Sequence, residues 1–362
     1  MAQHKRVNTE YLRLLKEGVL LWRLALAPRP QAAPAPRTVL LVVPCLIGEF
    51  AAALPAIADF ISRHPDTRID LMVAPPLVPL AQRIKGAGAV YAVRSVYERE
   101  EGASRAEPLP ERYDRIIAMR MSKDAYRVVR TLQGALQTSA WPITRYALHL
   151  AASMLMRRTP RQWQEFNFEL LGGEPRMMSF DLLLSIEPAI YEKLGAHMKT
   201  GAKQVIVHTG ASWPMKHWPR ERWIELLKTL HARGAYHFLF VGGGAIDEAD
   251  YKAIAPALDF ATRSLIGQIS VLETVALMRL AHGFVGVDSG PANLARLAEL
   301  PSLTLYGPGP HMYLPHHPRD VALDKSHGRG LFEMYVASER GFIHQISATE
   351  AADAFGRLIL KP

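Results

Sequence analysis

The chain has 362 residues, 49% of them hydrophobic and 21% charged, with a formal net charge of +9. That length exceeds what one hydrophobic core usually serves, so two domains are expected. A single cysteine, Cys45, excludes a disulfide framework and any cysteine-rich metal site.

The excess of lysine and arginine implies an acidic partner. Nucleic acid is not expected, because no nucleic-acid-binding motif and no basic tract interleaved with aromatics is present.

In chain order, Leu12, Leu15, Val19, Trp22 and Leu26 recur at helical spacing with Arg13, Lys16 and Arg23 near them, and the run stops in the Pro/Ala-rich stretch 27–36. It is too short and interrupted to span a bilayer, which takes about 20 residues. It also lacks a small-residue cleavage site. Two readings stay open: an amphipathic helix lying on a membrane surface, or one packed onto the body of the protein.

From Thr38 strand and helix patterns alternate, with strands expected over 38–45, 68–74, 90–93 and 115–119 and helices over 50–64 and 77–85. This alternation argues a parallel sheet covered on both faces. Gly48 and Glu49 fall at the end of the first strand, where a doubly wound sheet opens onto its ligand crevice. Glu49 there suits a general base, or else caps the following helix. Arg120 and Lys123 follow the strand 115–119 and are expected to meet carboxylates or phosphates of an acceptor. Residues 94–110 read as a surface loop and 124–171 as mainly helical. The pattern lapses over 172–180 and alternation resumes at Gln204, which places a domain boundary between 180 and 200.

The second half carries two phosphate-type features. Between a strand at 204–207 and a helix at 221–232 lies His-Thr-Gly-Ala-Ser-Trp-Pro-Met-Lys-His-Trp-Pro, His208 to Pro219. Thr209, Gly210 and Ser212 offer hydroxyls and an approachable backbone, and Lys216 adds a compact cation suited to a diphosphate oxygen. Further on, a strand ends at Asp288, Gly290 turns the chain and Pro291 suits a first helical position. The N–H groups of that helix start favour a phosphate, with Asp288, Ser289, Gly290 and Asn293 at hand, although Asp288 and Ser289 also suit plain capping. Between these features a strand runs into Gly242, Gly243 and Gly244. The following helix presents Asp247 and Glu248, either of which would accept a ribose hydroxyl. No Gly-Lys-Ser/Thr follows, so this is not a P-loop. The proline-broken spacing of His311, His316 and His317 fits no zinc pair, and no Asp-x-Asp motif occurs. Neither a metal nor a cofactor is expected.

Gly48-Glu49, the segment Gly210 to Pro219, and Asp288-Ser289-Gly290-Pro291-Ala292-Asn293 together resemble the bacterial heptosyltransferase family, glycosyltransferases of the lipopolysaccharide inner core. The family pattern is a Gly-Asp pair, a "PGA-S…K-WP" segment and a "D-[ST]-G-x-x-H" segment, and the likeness runs from about Thr38 to the C-terminus. Two residues depart from it: Glu49 replaces the aspartate and Asn293 replaces the histidine.

The resemblance implies an α/β GT-B fold, two Rossmann-like doubly wound domains facing a central cleft. Its parts would be an N-terminal helix and linker at 1–36, an acceptor domain at 37–190, a nucleotide-sugar domain at 191–346, and a terminal helix at 347–362 crossing back to the first domain. Glu49 and Lys216 would be catalytic, and Gly48, Arg120 and Lys123 would contact the acceptor. Thr209, Gly210, Ser212, Lys216, Asp247, Glu248, Asp288, Ser289, Gly290 and Asn293 would contact the donor. The implied activity is metal-independent, inverting transfer of a sugar from a nucleotide-diphosphate donor, ADP-heptose or another. Its acceptor would be an anionic glycolipid or glycan, in the cytoplasm and in peripheral contact with the inner membrane. A member using a different nucleotide sugar, and one that binds nucleotide or glycan without turnover, are the alternatives.

Overall fold

A computed structural model of the chain describes residues 16–27, 35–95, 109–140, 144, 162–211, 214–307, 319–325 and 342–360. They fall into two compact units. The first takes the described residues up to 144 with Trp163–Met178 and Leu182–Ser185, and the second takes Gln162, Ser179–Asp181 and those from Ile186 onward.

In the first unit β1 (Thr38–Val43), β2 (Arg68–Val73), β3 (Val90–Ala92), β4 (Arg112–Ala118) and β5 (Gln133–Thr138) form one parallel sheet in the order β3-β2-β1-β4-β5. The continuous apolar run of β1 is what a strand covered on both faces requires. The helix Ile47–Arg63 covers one face with Phe50, Leu54, Ile57 and Ile61. Strand order reverses between β1 and β4, and residues that follow these two strands emerge at the same sheet edge.

Two readings of this half need correction. The stretch expected to be mainly helical begins with the helix Lys123–Val129, capped by Ser122, but then yields β5. Its sequence, Gln-Gly-Ala-Leu-Gln-Thr, lacks the β-branched and aromatic alternation that marks a strand, and pairing with β4 supplies what propensity does not. The helix expected over 77–85 shrinks to Val78–Ala81 after a 3-10 turn, Pro75–Leu77. Prolines at 75, 76 and 79 remove the amides a longer helix would use.

The second unit repeats the plan with β6 (Lys203–His208), β7 (Tyr236–Phe240), β8 (Arg263–Ser264), β9 (Gly283–Val287), β10 (Ser302–Tyr306) and β11 (Asp320–Asp324), ordered β11-β10-β9-β6-β7-β8 and parallel throughout. Here the reversal lies between β6 and β9. Trp223, Leu226, Leu230, Phe238 and Phe240 fill one core layer, and Trp218 meets Trp223 edge-on with ring centroids 5.0 Å apart. The terminal helix Ala348–Leu360 contributes to the core of this unit. Ala351, Phe355 and Leu358 pack with the helix Arg220–Arg233 and with β10.

The N-terminal helix, 16–25 among the described residues, also differs from its reading. Glu17, Leu21 and Leu24 are the buried positions, whereas Val19, Trp22 and Leu26 of the predicted stripe are 57%, 39% and 78% exposed. Leu12, Arg13 and Leu15 lie outside the described residues. No helix among the described residues is long and apolar enough to cross a membrane.

Candidate active site

In the first unit the polar groups gather where β1 and β4 end. Val43 is followed by Pro44, Cys45 and Leu46, and the next helix starts at Ile47, which puts Gly48 and Glu49 in its first turn. Glu49 sits at the third helical position, and its Oε2 accepts the Leu46 N–H at 3.1 Å. This satisfies one of the amides a helix start leaves orphaned and places negative charge where the helix dipole favours it. The other oxygen, Oε1, lies 2.5 Å from Arg120 Nη1. Glu49 therefore caps its helix and still holds an ion pair at the sheet edge.

Arg120 reaches that edge because β4 continues its pairing past Ala118, with the amides of Met119 and Arg120 both donating to the Val42 carbonyl. Arg120, expected to contact the acceptor, is 2% exposed. Its Nε and Nη2 donate to both oxygens of Glu17 at 2.7 and 2.8 Å, and the guanidinium lies over the Trp163 ring. Fully buried guanidinium groups are kept by such pairing, because an unpaired charge there is too costly. Lys123 is exposed in the first turn of the next helix.

In the second unit the residues after β6 and β9 meet. His208, the last residue of β6, bridges the two loops, with Nδ1 3.0 Å from Ser289 Oγ and Nε2 3.3 Å from Asp247 Oδ1. The pairing of His208 with Gly286 brings these strand ends together, and a Cβ at 286 would meet the His208 carbonyl oxygen at 3.0 Å. Asp247 Oδ2 accepts the Gly243 and Gly244 amides at 3.0 and 3.1 Å. Burial pushes the Asp247 carboxyl up, but His208 and those two amides outweigh it and hold the group below the ordinary aspartate range. Gly210 and Gly242 make room for this carboxylate, since a Cβ on either would approach it within 2.1 and 2.4 Å. Asp247 thus ties the loop after β7 to the end of β6. Glu248 is exposed and paired with Lys252 one helical turn on.

Lys216 ends a 3-10 turn, Pro214–Lys216, that rests against Gly307 at the end of β10, where a Cβ would strike the Met215 carbonyl at 2.4 Å. Its Nζ lies 2.5 Å from Asp288 Oδ2. His217 Nε2 lies 2.6 Å from the Ala211 carbonyl and Trp218 Nε1 donates to Ile346, so both ends of the turn are pinned. Thr209 is buried, and Ser212 lies outside the described residues.

Ser289 is the N-cap of the helix Gly290–Leu297, but its side chain makes no capping bond and turns to His208 and the Val287 carbonyl. Asn293 donates to the Ser289 carbonyl and receives Arg296 Nη1 at 3.3 Å. Arg296, buried, also binds Asp320 at 2.9 Å and the Tyr306 hydroxyl. Burial pushes the Tyr306 phenol above its ordinary range, which keeps it a neutral acceptor.

His208, Glu17 and Arg296 were not singled out by sequence. His208 opens the motif and had the signal of position alone. Glu17 stands 103 residues from its partner and had none. Among the described residues no group of three His, Cys, Asp or Glu side chains is placed to hold a metal ion, and the three histidines 311, 316 and 317 lie outside them.

Two doubly wound units, each gathering charged side chains at the strand ends that flank its order reversal, are the architecture of GT-B glycosyltransferases. The profile of glycosyltransferase family 9 (heptosyltransferase) matches residues 177–326. Lipopolysaccharide heptosyltransferase 3 of Escherichia coli is 22% identical over 291 residues, spanning 74% of this chain and 82% of that protein. Among solved structures, E. coli ADP-heptose lipopolysaccharide heptosyltransferase II superposes with a TM-score of 0.65 at 19% identity, covering 89% of this chain and 98% of the other. The E. coli heptosyltransferase WaaC, solved with ADP-2-deoxy-2-fluoro heptose, gives 0.61 at 19% identity over 88% and 99%. Residues 177–326 thus form a domain of glycosyltransferase family 9 (heptosyltransferase), and the chain as a whole shares the fold of the solved heptosyltransferases.

Proposed function

We propose that this chain transfers heptose or a related sugar from an ADP-linked donor to an anionic lipopolysaccharide-type acceptor, with inversion at the anomeric carbon. The observation that carries the reading is the pairing of the second unit's strand ends: Lys216 and the start of the helix Gly290–Leu297 supply positive potential beside β6 and β9. The departing diphosphate needs such stabilisation, typically about 3 kcal/mol per donor group. Thr209, Gly210, Ser212, Ser289 and Gly290 are the proposed phosphate contacts, and Glu248, the exposed member of its pair, suits a ribose hydroxyl better than the anchored Asp247.

Glu49 is the proposed general base. An ionised carboxylate at the end of β1 would accept the acceptor hydroxyl's proton while the donor is attacked from the opposite face. Gly48, next to it in the first turn of the helix, and Lys123 are proposed acceptor contacts. Diphosphate charge met by lysine and helix-end amides supports a reaction that runs without magnesium.

A different nucleotide sugar is the second reading. Asn293, standing where the family pattern has histidine, is held by Ser289 and Arg296, so the donor contact that histidine would make is altered. A thermal-shift series with ADP-, GDP-, UDP-, CMP- and dTDP-sugars, with and without magnesium, tests both. A metal-independent rise confined to ADP-heptose supports the first reading, and a rise with another class moves the assignment to that donor. No rise with any of them removes the donor-site reading.

Contact with the cytoplasmic face of the inner membrane is proposed for the N-terminal helix. Val19, Trp22 and Leu26 form an outward apolar stripe beside Lys16 and Arg23, the pattern of a helix that lies in an anionic lipid surface.

A further inference from the structure

Resting on the reading of Glu49 as base, we propose that Glu17 is a positioning residue for it, acting through Arg120 by neutralising that guanidinium and fixing its orientation. The three side chains form one buried chain within the first unit. Glu17 takes Arg120 Nε and Nη2 bidentately at 2.7 and 2.8 Å and also accepts the Met121 amide at 2.9 Å, while Nη1 faces Glu49 at 2.5 Å. Side-chain exposures of 2%, 3% and 10% leave little water to screen these charges.

The charge count explains why the third member is needed. A carboxylate facing a buried, undivided guanidinium is held so firmly ionised that it becomes a poor proton acceptor. With Glu17 claiming two of the three nitrogens, the guanidinium is shared between two carboxylates and the three side chains carry one formal net negative charge. Cys45, the other titratable group at this strand end, stays a neutral thiol: burial pushes it up first, Glu49 and Glu17 add to that, and Arg120 opposes them. It therefore leaves the count unchanged. Arg120 is also clamped sterically, with Trp163 across its face and Glu17 at its edge, so Nη1 has one direction in which to point. The bidentate fork matters here, because a lysine at 120 would hold neither orientation nor both carboxylates.

The experiment uses the full chain with 13Cδ-labelled glutamate, the Glu49 carboxyl signal being identified by its loss in Glu49→Gln. In Glu17→Gln that signal, read at one fixed pH, is expected to move as Arg120 loses its fixed orientation, and in Glu17→Asp, which keeps the charge and one fork, to return most of the way. With ADP-heptose as the turnover probe, kcat in Glu17→Gln falls about tenfold and donor KM stays within about twofold, because the proposed donor contacts lie in the other unit. An unchanged Glu49 signal in Glu17→Gln overturns the inference whatever Glu49 does in turnover. Turnover retained in Glu49→Gln instead removes Glu49 as base, and the failure is then that of the proposed function.

Discussion

Lys216 and Asp288 are joined by a 2.5 Å ion pair whose side chains are 13% and 6% exposed. The pair ties the 3-10 turn after β6 to the end of β9, so the cation offered to a diphosphate is also structural. Lys216→Ala is expected to abolish the nucleotide-sugar thermal shift and also to lower stability by about 3 kcal/mol, because it strands a buried carboxylate. Lys216→Ala/Asp288→Asn separates the two effects: chemical denaturation should show stability largely regained, with donor binding still absent. Binding restored in the double variant would assign Lys216 to the fold alone.

Glu49→Gln is expected to lower turnover by about a hundredfold or more. Glutamine keeps one acceptor oxygen, so it can hold the Leu46 amide or Arg120 but not both, and a stability loss of about 1 kcal/mol follows. Turnover against the unfolding midpoint of the same preparation tells loss of a base from loss of a fold.

Asp247 carries a pH prediction. Its carboxyl is held below the ordinary aspartate range in the folded chain, chiefly by His208 and the Gly244 and Gly243 amides acting against burial. A group whose folded pKa is depressed contributes stability that is present above its unfolded value and lost as pH falls through the folded one. The urea midpoint of Asp247→Asn should therefore lie below that of the unsubstituted chain at pH 7, and the gap should close below about pH 4. A gap that persists unchanged at pH 3 would mean the loop is held by something other than the ionised carboxylate.

Much of this was legible in the sequence, and the parts that were not have physical causes. Strands such as β1 and β9 announce themselves by continuous apolar runs, and the helix at Gly290 by its Pro291, because local propensity and tertiary role agree there. β5 was missed because its residues are indifferent to strand geometry and its partner strand decides. The motif around Lys216 was visible, but its bond to Asp288 was not, since both residues were read as ligands and neither as the other's partner. Glu17 shows the limit most clearly. It lies on the face of the N-terminal helix opposite the apolar stripe that drew attention, and nothing near it in sequence marks the arginine it binds.

Asn293→His would restore the family pattern but meets a filled site. Asn293 is 1% exposed and bridges the Ser289 carbonyl and Arg296. Replacing the amide removes the acceptor that Arg296 Nη1 uses and introduces a larger ring into close packing, so a destabilisation of about 1–3 kcal/mol is expected in chemical denaturation. Adding Arg296→Lys should deepen the loss, since Asp320 and Tyr306 then lose a bidentate partner. A neutral or stabilising Asn293→His would show that the loop after β9 readily takes the family arrangement.

The N-terminal helix offers two faces with opposite predictions. Its inner face, Glu17, Leu21 and Leu24, is packed, and Leu21→Ala should cost about 2–5 kcal/mol like other core truncations. Its outer face, Val19, Trp22 and Leu26, should tolerate polar replacement in stability, apart from the 3.1 Å bond from Trp22 Nε1 to Thr144. If that face lies in a lipid surface, Val19→Asp/Leu26→Asp, which spares the Trp22 bond, should weaken co-sedimentation with anionic vesicles about tenfold or more while leaving the thermal midpoint nearly unchanged. Binding by the unsubstituted chain should also fall with rising salt, because Lys16 and Arg23 flank the stripe and their attraction to the headgroups is screened. Equal sedimentation of variant and parent would show that any lipid contact of this chain lies elsewhere.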